Sequence, residues 1–227
     1  MRGSLRVSAA LVVVTLACAS AALGQDRWEP QVAALEAAAR SSQHQKGEVL
    51  FVGSSSIHRW DIASSFPELK TINQGIDGTE LADTVKYADR LILPFEPRVV
   101  VVYAGDNDIA SGKTSEEVAV QFERLTARIL SKLPQTRIVF IGLKPSILRW
   151  TQIDRMRAAN DLIKAICSHD DRIGYVDVDG PMLGWDERPR RELFVEDGLH
   201  LSAEGYRLWT TLLRPFVATA VTTTAVR

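Results

Sequence analysis

Cysteine is almost absent from this chain of 227 residues. Its two cysteines are Cys18 and Cys167, and Cys18 lies inside an apolar run near the start. If that run is removed as a leader, one thiol remains, and neither an internal disulfide nor a zinc-thiolate cluster can form. The mature chain must then fold on a hydrophobic core alone, which its remaining length of about 200 residues permits.

Net charge is also small. The 27 lysines and arginines nearly balance the 28 aspartates and glutamates, and the formal charge is −1 at pH 7. Proteins that bind nucleic acid or an anionic membrane usually concentrate basic residues in a patch or stripe. Because acids and bases are interspersed here, we expect no nucleic-acid partner.

Long apolar runs are missing after the first two dozen residues. Within those first residues, the apolar run from Val7 to Leu23 follows Arg2 and Arg6 and ends in small residues. This order predicts a secretory signal peptide over residues 1–24, and hence a secreted or periplasmic protein. No later run approaches the roughly 20 apolar residues of a membrane-spanning helix, so we expect no integral membrane association.

The leader leaves one alternative open. Leu16-Ala17-Cys18 resembles a lipoprotein cleavage site, although Thr15 stands where an aliphatic residue is usual. Lipidation at Cys18 would anchor the protein to a membrane surface after cleavage. We prefer secretion without an anchor, and we treat residues 25–227 as one domain because they hold neither a repeat nor a low-complexity linker.

Short runs of β-branched residues alternate with amphipathic helical stretches in the rest of the chain. Strands are predicted at Val49 to Val52, Thr71 to Asn73, Val99 to Tyr103, Ile138 to Gly142 and Tyr175 to Val178. Helices are predicted after Pro30, from the capping box of Thr114 and Glu117 to Pro134, over Ile153 to Cys167, and after a cap at Ser202. This alternation is typical of a three-layer α/β/α sandwich with about five parallel strands.

Three polar segments follow predicted strands at the edge where such sheets bind ligands. Ser55 follows the first strand, Gly78 the second and Asn107 the third. A serine at a strand-to-helix junction exposes its hydroxyl, and its N–H lies where negative charge is stabilised. Taken alone, the serine segment is explained equally well by a helix cap, and the Gly78 and Asn107 segments are explained better as turns.

A serine hydroxyl needs a neighbouring base before it becomes a good nucleophile. His200 is the candidate, because Asp197 lies three residues before it and can orient the imidazole. Glu196 is the rival carboxylate, although the turn at Gly198 favours Asp197. Taken by itself, an Asp-x-x-His sequence is more often a structural pair.

Together and in this order, the four segments resemble the SGNH (GDSL-type) hydrolase family, which is named for Ser, Gly, Asn and His. The resemblance covers the mature chain nearly end to end. The matching segments are Gly53-Ser54-Ser55-Ser56, Gly75-Ile76-Asp77-Gly78, Gly105-Asp106-Asn107-Asp108 and Asp197-Gly198-Leu199-His200.

The resemblance implies a flavodoxin-like sandwich and a catalytic triad of Ser55, His200 and Asp197. It also implies an oxyanion hole made by the N–H groups of Ser55 and Gly78 with the Asn107 side chain, and no metal or organic cofactor. Ser54 departs from the pattern, since the family usually has Asp there, and this puts the rigidity of the site in question. Register against Gly53 favours Ser55 as the nucleophile over its two serine neighbours.

The expected activity is therefore hydrolysis of a small ester by acyl transfer to Ser55. Short acyl groups are the preferred substrates, with O-acetyl groups on carbohydrates as one candidate. The Asp179 to Glu196 segment is rich in charge and predicts a polar rim, which suits a hydroxyl-rich leaving group. Two alternatives remain: a lipid-directed acylhydrolase or thioesterase, and a carbohydrate-binding protein with a degenerate site.

Candidate walls of the substrate pocket are Asp77, Trp60 and the segment from Ser146 to Trp150. They follow predicted strands or lie close to the nucleophile in the sequence. For the two tryptophans, packing in the core or at the surface is the preferred interpretation. Their roles in substrate binding stay open at this point.

Overall fold

The computed structural model describes residues 26–42 and 44–222. The predicted signal peptide and Cys18 lie outside the described residues. The strands are β1 Val49–Gly53, β2 Thr71–Gly75, β3 Val99–Tyr103, β4 Arg137–Ile141 and β5 Ile173–Val176. The α-helices are α1 Glu29–Ser41, α2 Ser55–His58, α3 Ile62–Ser65, α4 Leu81–Leu91, α5 Asp106–Ala110, α6 Ser115–Lys132, α7 Ile153–Ser168 and α8 Ala203–Thr222.

The five strands form one parallel sheet in the order β2-β1-β3-β4-β5. The predicted parallel sheet is thus confirmed. Gly53 at the end of β1 pairs with Gly75 on one side and Tyr103 on the other, so these three strands end level. β2 lies on one side of β1 and β3 on the other, so the order of the strands reverses at β1, and the crevice beyond such a switch point is the usual ligand site.

Alternate residues of each strand face opposite helical layers. Leu50 and Val52 belong to a core shared with α1, α4, α6 and α7. Phe51 belongs to a second core, which α2, α3 and α8 complete. The fold is therefore a three-layer α/β/α sandwich of flavodoxin-like type, with the active-site candidates at one open edge of the sheet.

Local signals in the sequence account for the helix starts. The Thr114 hydroxyl accepts from the Glu117 N–H, and the Glu117 carboxylate accepts in return, so the predicted capping box is confirmed. Ser202 accepts from the Gly205 N–H and begins α8. Trp60 is 3% exposed and packs in the second core, as expected. Across residues 26–42 and 44–222, every helix is too short or too polar to cross a bilayer.

Strand boundaries differ from the predicted ones by up to two residues. β2 extends to Gly75, while β5 begins at Ile173 and ends at Val176, earlier than predicted. The difference arises because pairing decides where a strand begins. Ile138 donates to the carbonyl before Ile173, so β5 starts level with β4 whatever its own residues prefer.

Candidate active site

The turn after β1 requires glycine and presents one serine. Gly53 has φ +138°, and a Cβ there would lie 1.9 Å from the Tyr103 carbonyl oxygen. This close approach lets the Ser54 N–H donate to the same oxygen at 2.9 Å, and α2 begins at the next residue. Ser54 and Ser56 are each 1% exposed, whereas Ser55 is only partly buried. Ser55 therefore presents its hydroxyl at the open edge of the sheet.

The structure brings the predicted imidazole and carboxylate to this hydroxyl. His200 Nε2 lies 3.1 Å from Ser55 Oγ, and His200 Nδ1 lies 2.6 Å from Asp197 Oδ2. The other Asp197 oxygen accepts from the N–H groups of Leu199 and His200 at 2.8 and 2.9 Å. The Asp197 carboxylate, and not that of Glu196, contacts the ring.

These contacts set the charge and the tautomer of the pair. Burial acts to raise the pKa of Asp197, but the hydrogen bonds from the His200 ring and the two N–H groups hold it well below its ordinary value. Asp197 is therefore ionised at any pH near neutrality. A carboxylate only accepts, so His200 Nδ1 carries the proton. In a neutral imidazole, Nε2 is then an acceptor facing the Ser55 hydroxyl.

Three hydrogen-bond donors surround the same end of β1. The Ser55 N–H opens α2, and the Gly78 N–H lies in a turn at φ +78°. Neither donates to another residue of the described chain. Asn107, on α5, donates one of its two amide hydrogens to the Thr79 carbonyl at 2.9 Å. The loop that carries Gly78 is close to β1, because Ile76 donates to the Gly53 carbonyl.

A buried lysine next to this site was not predicted from the sequence. The Lys144 side chain is 1% exposed, and its Nζ donates to Asp106 Oδ2 at 2.9 Å, to Tyr103 Oη at 3.0 Å and to Ser56 Oγ at 3.2 Å. All three hydrogens of the ammonium group are thereby used. Lys144 therefore connects Ser56, the residue after Ser55, to Tyr103 on β3 and Asp106 on α5. It fixes the turn that in this chain has Ser54 in place of the family's usual aspartate.

A second cation continues the network toward Asn107. Arg149 Nη1 lies 3.0 Å from Asp106 Oδ2, and Arg149 Nη2 donates to Asn107 Oδ1 at 2.8 Å. Burial acts to raise the pKa of Asp106, but the charges of Lys144 and Arg149 hold it below its ordinary value. We call Lys144, Asp106 and Arg149 the buried charge network. It links Ser56 to the predicted oxyanion donor Asn107.

Comparison with known proteins then decides the family. The model of the GDSL-like lipase/acylhydrolase family matches residues 53–208, which include every residue of the site described above. The chain belongs to this family. It is therefore a hydrolase that acts on esters, and the resemblance to SGNH (GDSL-type) hydrolases is confirmed.

Individual proteins are similar to this GDSL hydrolase in sequence or in fold. Subunit alpha2 of platelet-activating factor acetylhydrolase IB from Rattus norvegicus is 28% identical over 194 residues, 81% of this chain and 80% of the relative. A GDSL-like lipase from Bacteroides thetaiotaomicron is 20% identical, has a TM-score of 0.67, and matches over 86% of this chain and 97% of its own. The family 3 carbohydrate esterase of Clostridium thermocellum shares the fold at 16% identity and a TM-score of 0.61, over 77% and 98% of the two chains.

The predicted pocket walls of the GDSL hydrolase have mixed outcomes. Asp77 forms an ion pair with Arg59 at 3.0 Å. Trp150 is half-buried beneath the guanidinium groups of Arg157 and Arg188, which agrees with the preferred interpretation of surface packing. Leu148 is 62% exposed, and its N–H donates to the Gly198 carbonyl within the His200 loop. An apolar side chain thus flanks the triad candidates.

The buried charge network of the hydrolase predicts unequal costs for removing its central carboxylate and for removing one of its cations. Asp106→Asn should destabilise the fold by about 3 to 5 kcal/mol, because two largely buried cations lose their counterion. Lys144→Met should cost less, about 1 to 3 kcal/mol, since Arg149 still neutralises Asp106 while hydroxyl partners are lost. Urea unfolding measures both values. Combining the two substitutions should cost less than their sum, and strict additivity would contradict the coupling.

Asp108 predicts a pH dependence of stability. It is 2% exposed, and both of its oxygens accept from the Leu81 N–H at 3.2 and 3.1 Å. Burial raises the pKa of Asp108 to about 7, against the effect of the Leu81 bond and with help from the charges of Glu80 and Asp106. The folded chain therefore holds this proton more tightly than the unfolded chain, whose Asp pKa is about 3.9.

The free energy of unfolding should therefore fall as the pH rises. The stability that the protonated carboxyl contributes is present below about pH 4 and is lost as pH rises through 7, on the order of 4 kcal/mol in total. We expect Asp108→Asn to gain stability relative to wild type between pH 4 and pH 8, measured by urea unfolding. The exposed Asp171→Asn should show a flat difference across the same range. A flat difference for Asp108→Asn would contradict the raised pKa.

Proposed function

We propose that this GDSL hydrolase is a secreted or periplasmic serine esterase with Ser55, His200 and Asp197 as its catalytic triad. The observation that supports this best is the continuous chain of contacts from Asp197 Oδ2 through the ring of His200 to Ser55 Oγ, at 2.6 and 3.1 Å. Both distances are those of hydrogen bonds between a base, its orienting carboxylate and a nucleophile. Secretion rests on the predicted signal peptide over residues 1–24.

Acylation begins when His200 Nε2 accepts the Ser55 proton and Ser55 Oγ attacks the ester carbonyl carbon. The carbonyl oxygen becomes an oxyanion, which accepts from the N–H groups of Ser55 and Gly78 and from the free hydrogen on Asn107 Nδ2. The tetrahedral intermediate collapses as the bond to the alcohol oxygen breaks. His200 returns its proton to that oxygen, and the acyl group stays on Ser55.

Deacylation repeats the sequence with water. His200 Nε2 accepts a proton from the water, and the water oxygen attacks the acyl carbon. A second oxyanion forms, and the same three donors stabilise it. Breaking the bond to Ser55 Oγ releases the carboxylic acid, and the serine oxygen recovers its proton from His200. Asp197 remains ionised throughout and stabilises the imidazolium formed in each half of the cycle.

Short acyl groups suit the residues around the site. Between β5 and α8 the described chain forms short 3₁₀ turns and two antiparallel bridges, Leu183 with Pro189 and Phe194 with Leu201, in place of an amphipathic lid helix. The same segment carries Arg188, Arg190 and Arg191, which supports the predicted polar rim. The relatives named as acetylhydrolases also favour a small acyl group. O-acetyl groups on carbohydrates fit both features.

A lipid-directed acylhydrolase is the second candidate. Its support is the exposed apolar surface beside the triad, where Ile147, Leu148 and Val195 are 36%, 62% and 42% exposed. Such a surface would contact a hydrocarbon chain or a lipid interface. The family whose model matches is described as one of lipases and acylhydrolases, which supports this candidate as well.

The two candidates differ in the acyl length that they predict. Across p-nitrophenyl esters, kcat/KM should be highest for acetyl and butyryl and at least about tenfold lower at twelve carbons, since a pocket without added apolar depth gains nothing from extra methylenes. Acetylated sugars should be deacetylated in the same preparation. Ser55→Ala serves as the blank for both assays. A rate that rises through twelve carbons, or increases on lipid vesicles, would instead support the lipid-directed enzyme.

A further inference from the structure

The Asn107 amide is held at both of its ends. Its Nδ2 donates to the Thr79 carbonyl at 2.9 Å, and its Oδ1 accepts from Arg149 Nη2 at 2.8 Å. Two contacts on one planar group leave it a single orientation, in which the second Nδ2 hydrogen is free for substrate. The Arg149 contact also decides which end of the amide is oxygen, because a guanidinium only donates.

We infer that Arg149 is a positioning residue that orients and polarises the Asn107 amide as an oxyanion donor, an inference that rests on the proposed function. A hydrogen bond from a cation to Oδ1 draws electron density toward that oxygen and leaves the Nδ2 hydrogens more positive. A more positive hydrogen is a stronger donor to a developing negative charge. The effect grows in a site from which water is largely excluded.

The charges of the buried network support this role. Lys144 alone could neutralise Asp106, because its Nζ lies 2.9 Å from Asp106 Oδ2. Arg149 adds a second cation, only 15% exposed at its side chain, to the same carboxylate oxygen. Neutralising Asp106 therefore does not by itself require Arg149, and the contact with Asn107 Oδ1 is the one that Lys144 does not make.

Stabilisation that arises only with the oxyanion lowers the barrier without tightening substrate binding. Arg149→Met should therefore lower kcat by about 10- to 100-fold and change KM less than about threefold, while Asn107→Ala lowers kcat by about 10²- to 10³-fold. Arg149→Lys should recover only part of the loss, since a lysine keeps the charge but lacks the planar fork that reaches both Asp106 and Asn107.

A double-mutant cycle separates positioning from a merely structural role. If Arg149 acts through Asn107, Arg149→Met should have almost no further effect on kcat in an Asn107→Ala background. The substrate is p-nitrophenyl acetate, and circular dichroism with a thermal melt verifies folding of every variant. Because Asp106 keeps Lys144 as its partner, the Arg149 variants should fold. Arg172→Met, which breaks an ion pair with Asp170 in the turn before β5, is the matched control and should leave kcat unchanged.

The outcomes are distinct. A full 10- to 100-fold effect of Arg149→Met in both backgrounds would overturn the inference while leaving the proposed function intact. An unchanged kcat for Arg149→Met in the wild-type background would also overturn it. A fully active Asn107→Ala enzyme would remove the oxyanion donor itself, and the inference would fall with that part of the proposed function.

Discussion

Ser55→Ala should lower esterase turnover on the order of 10⁶-fold and leave the protein folded. The Ser55 hydroxyl is the proposed nucleophile, and alanine removes the oxygen that lies 3.1 Å from His200 Nε2. Because the side chain lies at a partly exposed strand end, its loss should cost little stability. The measurement is kcat on p-nitrophenyl acetate, with the thermal midpoint as the check on folding.

Ser54→Ala is the matched control for this substitution. Ser54 is 1% exposed and holds the turn through its backbone N–H, which alanine keeps. We expect its kcat to stay within about tenfold of wild type. The opposite pattern, with an active Ser55→Ala enzyme and an inactive Ser54→Ala enzyme, would show that the nucleophile is misassigned.

Asp197→Asn should lower kcat on the order of 10⁴-fold. The Asp197 carboxylate accepts from His200 Nδ1, which leaves Nε2 free to act as a base. An asparagine amide can instead donate to Nδ1, which favours the tautomer with its proton on Nε2, and it also removes the charge that stabilises the imidazolium. Steady-state kinetics on p-nitrophenyl acetate measures the loss.

Two further variants test the role of the Asp197 carboxylate. Glu196→Gln should leave kcat within about twofold, because the Asp197 carboxylate contacts the ring and that of Glu196 does not. Adding Asp197→Asn to Ser55→Ala should cost little beyond Ser55→Ala alone, since the members of a triad act as a unit. An Asp197→Asn enzyme with normal kcat would mean that His200 works without this carboxylate.

The sheet could be predicted from the sequence because its strands are nearly continuous β-branched runs, of which Val99 to Tyr103 is the clearest. Parallel strands buried on both faces leave this signature. α4 was not predicted, because its cap is the unusual pair of Glu80 and Asp83, although Leu81, Ala88 and Leu91 lie on one buried face. A helix start can be recognised in the sequence only when its capping residues are of a common type.

The positions of Ser55, Asn107 and His200 could be predicted from the sequence for a different reason. Each follows a strand or precedes a helix, and a parallel sheet brings the carboxyl ends of its strands together. The structure places Ser55 and His200 in contact, as the resemblance implied. Their catalytic roles remain predictions, which the substitutions above test.

The buried charge network was out of reach of sequence reasoning. Lys144 lies 88 positions from Ser56, and a lysine after a strand is ordinarily read as a solvated side chain. Only the packing of β3, β4 and α5 shows that it is buried and paired with Asp106. Arg149 lies within the segment predicted as a pocket wall, yet its contact with Asn107 Oδ1 depends on the same tertiary arrangement.

Labelling with a fluorophosphonate probe tests the central claim most directly, because the probe reacts covalently only with a serine that a neighbouring base has activated. Trypsin should release residues 47–59, which contain Ser54, Ser55 and Ser56, as one peptide. We predict a single adduct, located on Ser55 by fragmentation and absent in His200→Ala. An adduct on Ser54 or Ser56, or an unlabelled wild-type protein that is folded, would contradict the account.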